Sequence, residues 1–323
     1  MNSLTANLHL MMVSFYRPVA ERPAIIIEQG AFPSDRYAVE SQIRFHGFDP
    51  ADCLIEIPAD ENTGLIDGHA LENALKAHGH RVALILWPGV QYRTGQSFDL
   101  QAITQLGHFY GCRIGFDLAH AVGNTPLQLH ESGADFAAWC SYKYLNAGPG
   151  SIAGAFVHER HAKADLPRFN GWWGNQQDSR FKMAAQFKSA AGADGWQLSN
   201  PPIFAMAPLR ASLELFQRAG LANLRSKSVQ LTAYLEALIE QELHSVLRSV
   251  TPKQAEQRGC QLSLQVLHGR EQGRQLFDYL TANHILGDWR EPDVIRLSPT
   301  PLYNRFSDCY QAVKTIKQWA QLP

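Results

Sequence analysis

The sequence has no excess of charge of either sign and no long hydrophobic run. Lys and Arg number 29 and Asp and Glu number 30 among 323 residues, without clusters of like charge, so no surface for nucleic acid is predicted. The apolar stretch 4–16 contains Asn7 and His9, lacks a basic leader and is too short to cross a bilayer. We therefore expect a small-molecule partner, with no nucleic acid, no membrane segment and no signal peptide.

Cysteine is also scarce. The five residues are Cys53, Cys112, Cys140, Cys260 and Cys309. Their odd number and the lack of a C-x-x-C pair argue against a disulfide framework and favour reduced thiols in the cytoplasm. The stretch 158–161 lacks H-E-x-x-H spacing, and His78 and His80 have no third ligand close in the sequence. No metal ion is therefore expected.

Short apolar runs alternate with helical patterns through the first part of the chain. Strands are predicted over 24–28, 53–57, 82–86, 112–117, 136–140 and 153–157. Helices are predicted over 35–45, 67–77 and 99–110, each beginning at an acidic cap. This repeated order predicts an α/β fold with a mainly parallel sheet.

The second part of the chain has a different pattern. Pro201, Pro202 and Pro208 interrupt the sequence, and a long amphipathic helix is predicted over 209–243, with a break near Gly220. Further elements are strands at 262–266 and 294–297 and helices at 273–283 and 306–321. We expect two domains, a large one over 1–205 and a smaller α+β one over 206–323.

Two residues that suit cofactor chemistry follow predicted strands. Lys143 lies in the segment S-Y-K-Y-L-N, and Asp117 lies 26 residues before it, so an α/β sheet would place both at its ligand-binding edge. Taken alone, the lysine is more simply a surface residue and the aspartate a turn or cap residue. Together they suit pyridoxal phosphate, which needs a lysine for its aldehyde carbon and an acid that keeps its pyridine nitrogen protonated.

Six segments, in this order, carry a more specific signal. They are N-S-L-T-A-N-L-H at 2–9, F-P-S-D at 32–35, D-L-A-H at 117–120, S-Y-K-Y-L-N at 141–146, W-W-G at 172–174 and I-R-L-S-P-T-P-L-Y-N at 295–304. With this combination the whole chain resembles the kynureninases. The resemblance implies a fold type I large domain, a smaller C-terminal domain and pyridoxal 5'-phosphate as the cofactor.

The resemblance also assigns roles to individual residues. Lys143 would bind the cofactor aldehyde and act in catalysis with Tyr142. The segment 4–5 would bind the phosphate at a helix N-terminus, Phe32 would stack on the pyridine ring, and Asp35 would support the charge of that ring. The implied cofactor-binding residues are Leu4, Thr5, Phe32, Pro33, Ser34, Asp35, Asp117, His120, Tyr142, Lys143, Trp172 and Asn200.

Substrate binding is assigned to Arg296, Ser199 and Asn200. The guanidinium of Arg296 would hold the substrate α-carboxylate in a bidentate pair. Trp172, Ser199 and Asn200 would reach the site from the neighbouring subunit, which implies a homodimer with shared active sites. Without the resemblance, Arg296 is more simply a surface strand residue and Trp172 a packing residue.

The implied reaction is the hydrolytic cleavage of the Cβ–Cγ bond of L-kynurenine, or of 3-hydroxykynurenine, in tryptophan degradation and NAD biosynthesis. The products would be anthranilate, or 3-hydroxyanthranilate, and L-alanine. One alternative is another fold type I enzyme, such as a cysteine desulfurase or aminotransferase relative, although no cysteine is expected in an exposed loop near the cofactor.

The other alternative is a truncated, inactive paralogue. Kynureninases have a substantial region before the segment that matches 2–9, and we expect this chain to lack it. A second departure is Pro88, because family members can have a serine in this loop that contributes to the cofactor site, and proline offers neither a hydroxyl nor an N–H group.

Overall fold

Six strands follow the predicted alternation. In the computed structural model, which describes residues 1–321, they are β1 (Ala24–Glu28), β2 (Leu54–Ile57), β3 (Val82–Pro88), β4 (Arg113–Asp117), β5 (Phe136–Trp139) and β6 (Gly154–Val157). They form one sheet in the order β2-β1-β3-β4-β5-β6. Neighbouring strands are parallel except β5 and β6, which pair antiparallel. The prediction of a mainly parallel sheet is confirmed.

Helices cover both faces of this sheet. They are α1 (Leu4–Phe15), α2 (Pro33–Phe45), α3 (Ala70–His78) and α4 (Leu100–Phe109), with single turns at Pro50–Cys53, Leu129–Ser132 and Gln177–Arg180. Strand β1 shows why both faces are covered, since all its side chains are buried. Ile25 and Ile27 pack with α1 and α2, whereas Ala24 and Ile26 pack with α3 on the opposite face.

The predicted bounds need small corrections. Cys53 belongs to a helical turn begun by Asp49, whose carboxylate accepts from the Ala51 N–H at 2.9 Å, so β2 begins one residue later. Cys112, Cys140 and Ala153 belong to the predicted strands but lie outside the observed β4, β5 and β6, whereas β3 extends two residues further than predicted, to Pro88. The sequence pattern predicts no element in the apolar stretch 4–16, yet Leu4–Phe15 forms the largely buried helix α1. Within residues 1–321, no helix is long and apolar enough to cross a membrane.

A second sheet lies in the C-terminal part. Its strands are β7 (Leu247–Ser249), β8 (Leu262–Val266), β9 (Asp288–Arg290) and β10 (Val294–Leu297), antiparallel in the order β7-β8-β10-β9. Its helices are α5 (Ile203–Ala219), α6 (Leu221–Glu242), α7 (Arg270–Ala282) and α8 (Phe306–Ala320). Along the whole described chain, short 3-10 helices occur at Gly79–Arg81, Glu159–His161, Trp172–Gly174, Gly192–Trp196 and Ala255–Gln257. Strands β7 and β9, of three residues each, were not predicted. The predicted domain boundary between residues 205 and 206 falls inside α5, and the division into two domains stays a prediction.

The interpretation of Pro208 as a break before the long helix is wrong. Helix α5 begins at Ile203 and includes Pro208. A proline inside a helix removes the hydrogen bond to the carbonyl four residues earlier, which here belongs to Phe204. In the single subunit the first turn of α5 is largely exposed, so water can reach the Phe204 carbonyl in place of the missing N–H donor. The break near Gly220 is confirmed, since α6 begins at the next residue with Gly220 at positive φ.

The buried carboxylate of Asp135 connects β4, α4 and the segment after β6 by hydrogen bonds. Asp135 is fully buried and accepts from the backbone N–H of Ile114 at 2.8 Å and from the Arg160 guanidinium at 2.8 Å. Its two oxygens also lie 3.0 Å from His108 Nε2 and 2.7 Å from His161 Nε2. These hydrogen bonds hold the pKa of Asp135 well below its usual range in spite of its burial.

Replacing this carboxylate should destabilise the chain. We expect Asp135→Asn to lower the free energy of unfolding by about 3 kcal/mol, because its cationic partners lose their counter-charge in a buried site. The contribution of Asp135 is present above its unfolded pKa of about 3.9 and is lost as the pH falls below it. Urea unfolding at neutral and acidic pH measures both effects, with Asp278→Asn, which breaks an exposed pair with Arg274, as the control. Equal stability of Asp135→Asn and wild type would contradict this account.

Candidate active site

The predicted chemical residues gather at one edge of the large sheet. Asp117 is the last residue of β4, Lys143 follows β5, and Phe32 follows β1. Since β1, β4 and β5 run in the same direction, their carboxyl ends meet at this edge. The edge position that the sequence predicts for Asp117 and Lys143 agrees with this topology.

Two helix N-termini meet at one end of this edge. Helix α1 begins at Leu4 and α2 at Pro33, and the hydroxyls of Thr5 and Ser34 lie 2.9 Å apart. The first N–H groups of a helix have no partner within the helix and attract anions. Two hydroxyls and two helix starts in contact form an arrangement that suits a phosphate group.

Three carboxyl groups, those of Asp117, Asp35 and Glu28, lie close enough together for the charge of one to shift the pKa of another. Asp117 accepts from the Ala119 N–H at 2.7 Å. Burial and the neighbouring charge of Asp117 raise the pKa of Asp35 well above its ordinary value, and Asp35 Oδ1 has no hydrogen-bond partner among the described residues. Burial, with the nearby charges of Asp117 and Glu56, raises the pKa of Glu28 to about 8. The structure thus surrounds the Asp117 charge with carboxyl groups that tend to keep their protons.

The Lys143 amine lies against His120 and Phe32, and these three residues are called the Lys143 cluster. Lys143 Nζ lies 3.2 Å from His120 Nε2 and 5.6 Å from the centre of the Phe32 ring. Burial and the charge of Lys143 lower the pKa of His120 well below its ordinary value, so the imidazole is neutral at neutral pH and accepts from the ammonium. His120 Nδ1 is buried with no partner within residues 1–321. Asp35 Oδ1 and His120 Nδ1 are therefore two buried polar atoms that lack a partner among the described residues.

Tyr142 lies at the rim of the cluster. Its side chain is 51% exposed. Burial of the hydroxyl end and contact with the Cys140 thiol raise the pKa of Tyr142 to about 12. The phenol therefore stays protonated at neutral pH and can donate a hydrogen bond.

Arg296 is connected to the same edge from the second sheet. Its side chain is only 8% exposed, which contradicts the simpler interpretation as a surface strand residue. Its Nη1 donates to the Tyr92 carbonyl at 2.6 Å, and its Nε and Nη2 lie 3.2 and 2.9 Å from Asp288 Oδ1. The Tyr92 ring packs edge-on against Phe32, with 5.2 Å between centroids. Arg296 and Phe32 thus contact the same residue.

The remaining predicted residues lie elsewhere in the subunit. Ser199 and Asn200 are exposed, and no hydrogen bond of the described residues joins either side chain to the Lys143 cluster. Trp172 packs edge-on against Phe181, 5.9 Å between ring centroids. Sequence reasoning missed Glu28 and Tyr92. Glu28 could have been noticed as the single charged residue of an otherwise apolar strand.

Comparisons with known proteins agree on one family. A family model described as the kynureninase C-terminal domain matches residues 224–316. The kynureninase of Stenotrophomonas maltophilia is 63% identical over 323 residues, which are 100% of this chain and 76% of the relative. That of Xanthomonas euvesicatoria pv. vesicatoria is 61% identical over 320 residues, 99% of this chain and 76% of the relative.

The chain belongs to the kynureninase family. The predicted family, enzyme class and cofactor are thereby confirmed, and the alternative of a desulfurase or aminotransferase relative is not favoured.

Solved structures show the fold of this kynureninase-family chain. A C-DES mutant with glycine covalently linked to its pyridoxal phosphate matches with a TM-score of 0.81 and 18% identity, over 98% of this chain and 79% of the other. An alanine–glyoxylate aminotransferase from Nostoc sp. matches with a TM-score of 0.72 and 19% identity, over 99% and 80%. The predicted fold type I architecture is confirmed.

Proposed function

We propose that this chain is a kynureninase that cleaves L-kynurenine or 3-hydroxykynurenine by hydrolysis and releases anthranilate or 3-hydroxyanthranilate together with L-alanine. The observation that supports this most strongly is the placement of Lys143 against neutral His120 and beside Phe32, with Asp35 near the charges of both Lys143 and Asp117. Family membership supplies the substrate class.

A substrate panel tests the proposal. The purified chain with pyridoxal phosphate should release fluorescent anthranilate from L-kynurenine. It should release neither sulfide from L-cysteine nor pyruvate from L-alanine and glyoxylate at a comparable rate. A comparison with 3-hydroxykynurenine gives the preference between the two substrates, because one hydroxyl partner in a pocket decides such a preference. Sulfide release without anthranilate would overturn the proposal.

The residues present fit the cofactor. The Thr5 and Ser34 hydroxyls, with the first N–H groups of α1 and α2, would bind its phosphate. Phe32 would pack on its pyridine ring, and Asp117 would keep the ring nitrogen protonated. Burial and the charge of Asp117 raise the pKa of Asp35 and so favour its neutral form, so that one negative charge would face that nitrogen. When bound, pyridoxal phosphate withdraws electrons from the substrate α-carbon.

Lys143 and Tyr142 would handle protons in this mechanism. The Lys143 amine would remove the proton from the substrate α-carbon and return a proton later. Neutral His120 accepts a hydrogen bond from Nζ and so fixes the direction of the lysine side chain. The protonated Tyr142 hydroxyl, at the rim, would donate to the cofactor phosphate and help to move protons.

Arg296 would hold the α-carboxylate of the substrate. The guanidinium is almost completely buried and belongs to the same contact network as Phe32. A buried guanidinium binds a carboxylate through two parallel hydrogen bonds, which fixes both position and orientation. The reacting carbon would thus be held beside Lys143.

The remaining assigned residues support a homodimer with shared active sites. Trp172, Ser199 and Asn200 are exposed in the single subunit, where they do not join the Lys143 cluster. Ile203 and Phe204, directly after this segment, expose large apolar side chains. An exposed apolar patch beside polar site residues is the pattern of a subunit interface. We propose that these residues complete the active site of the neighbouring subunit.

Changing the interface should separate the subunits. Phe204 is 95% exposed in the single subunit, and we expect Phe204→Glu to dissociate the dimer and abolish anthranilate release, because a carboxylate would be buried without a partner. Analytical ultracentrifugation measures the mass. Phe109→Glu, at an 83% exposed site on α4, is the matched control and should stay dimeric and active. A monomeric, fully active wild type would refute the shared site.

The physiological setting is also part of the proposal. Five buried free cysteines favour a reducing compartment, so we propose that the enzyme acts in the cytoplasm. Kynurenine cleavage belongs to tryptophan degradation and can supply a precursor for NAD biosynthesis. We further propose the division into a cofactor domain over 1–205 and a small domain over 206–323, in agreement with the two separate sheets.

A further inference from the structure

The Asp288 carboxylate contacts two arginines next to Tyr92, the residue that packs against Phe32. Antiparallel pairing of β9 and β10 places Asp288 directly opposite Arg296. The Asp288 Oδ1 atom lies 2.9 Å from Arg296 Nη2 and 2.8 Å from Arg290 Nε. The Arg290 guanidinium carbon lies 5.9 Å from the centre of the Tyr92 ring. The backbone register and the side-chain contacts thus bring one carboxylate and two guanidinium groups into a single cluster.

The hydrogen-bond donors of Arg296 are only partly used within this cluster. A guanidinium has five N–H donors. Nε donates to Asp288 and Nη1 to the Tyr92 carbonyl, and Nη2 lies 2.9 Å from Asp288 Oδ1. Even with one Nη2 donor directed at Asp288, one donor on Nη1 and one on Nη2 remain. Asp288 occupies the Nε edge of the guanidinium and leaves these two donors for an incoming carboxylate.

The charges of the cluster also suit one incoming carboxylate. Arg290 and Arg296 carry two positive charges, and Asp288 cancels one of them. A single surplus positive charge remains, so one substrate carboxylate makes the cluster neutral. Asp288 is 46% exposed, whereas Arg296 is 8% exposed. Asp288 can therefore orient the buried guanidinium while remaining in contact with solvent.

We propose that Asp288 is a positioning residue that fixes the guanidinium plane of Arg296 and so sets the affinity of the site for the substrate α-carboxylate. The inference rests on the proposed role of Arg296. Asp288 does not touch the reacting atoms, so its effect falls on substrate binding and not on the chemical step.

The test compares two charge-removing variants of the same hairpin. In Asp288→Asn the KM for L-kynurenine should rise about tenfold while kcat changes less than about twofold, because a charge-assisted hydrogen bond that holds Arg296 is lost. In Glu291→Gln, which breaks an exposed pair with Arg270, both constants should stay at wild-type values. The L-kynurenine concentration that half-saturates the change in the cofactor absorbance spectrum gives the same comparison without turnover.

A second ligand separates this role from a structural one. Kynuramine, the amine that lacks the α-carboxylate of kynurenine, should half-saturate the spectral change of wild type and Asp288→Asn at the same concentration. If Asp288→Asn does not fold, as judged by urea unfolding, Asp288→Glu should still raise the KM for L-kynurenine without changing kcat. An unchanged KM in an active Asp288 variant, or an equal loss for both ligands, would overturn the role of Asp288. A wild-type chain that releases no anthranilate would overturn the proposed function first.

Discussion

Replacement of Lys143 with alanine should remove both the visible absorbance band of bound pyridoxal phosphate and the release of anthranilate. The Lys143 amine is the group that the structure places between His120 and the Phe32 ring. Alanine offers neither a nucleophile for the cofactor aldehyde nor a base for the substrate proton. We expect kcat/KM to fall by on the order of 10⁴-fold or more, as it does when a covalent catalyst is removed.

The loss at Lys143 can be localised chemically. Borohydride reduction of the wild-type holoenzyme, followed by digestion and mass spectrometry, should find the reduced cofactor on the peptide that contains Lys143. Lys163→Ala, which removes an exposed lysine of the same domain, should keep the adduct, the absorbance band and the activity. An adduct on a different lysine, or full activity of Lys143→Ala, would contradict the assignment.

The second large effect is expected at Asp117. An asparagine cannot carry the charge that keeps the pyridine nitrogen protonated, so we expect Asp117→Asn to lower kcat by about 10²- to 10³-fold. The charge of Asp117 helps to raise the pKa of Asp35. Without that charge the pKa of Asp35 should fall, and Asp35 should partly take over the role. The double variant Asp35→Asn with Asp117→Asn should therefore be less active than Asp117→Asn alone.

The cofactor spectrum provides the measurement for Asp117. In the wild type the absorbance of the bound cofactor should report a protonated ring nitrogen throughout the neutral range, whereas in Asp117→Asn the spectrum should change with pH in that range. Asp52→Asn, an exposed carboxylate outside the site, should behave as the wild type. If Asp117→Asn keeps wild-type kcat and spectrum, Asp117 is not the partner of the ring nitrogen.

Much of the large sheet could be predicted because its strands are short, apolar and separated by amphipathic helices. Of the three predicted acidic caps, only Asp99 is the N-cap residue of its helix, since Asp35 lies inside α2 and α3 begins after His69. Strand β1 was predicted with its observed bounds, since the mostly apolar run A-I-I-I-E lies between a proline and a turn. Asp117 and Lys143 follow from the same reasoning, because the ends of parallel strands share one edge. Strands β7 and β9 have only three residues each, which is too short for a periodic signal.

The contacts between distant segments could not be predicted. Asp288 and Arg296 are brought together by the register of β9 and β10. Arg296 is linked to the active-site edge of the large sheet by its hydrogen bond to the carbonyl of Tyr92, 204 residues away. No local pattern encodes such a pairing. Glu28 is visible in the sequence as the charged residue of an apolar strand, but its proximity to Asp117 is not. The roles proposed for Trp172 and Asn200 involve a second subunit and stay predictions.

The product balance tests the central claim most directly. The purified chain, loaded with pyridoxal phosphate and given L-kynurenine, should form anthranilate and L-alanine in equal amounts, as measured by fluorescence and by amino-acid analysis of the same sample. Equal amounts show hydrolysis of the Cβ–Cγ bond at this site. Alanine and anthranilate that both stay at background, while the cofactor spectrum shows that kynurenine has bound, would contradict the account.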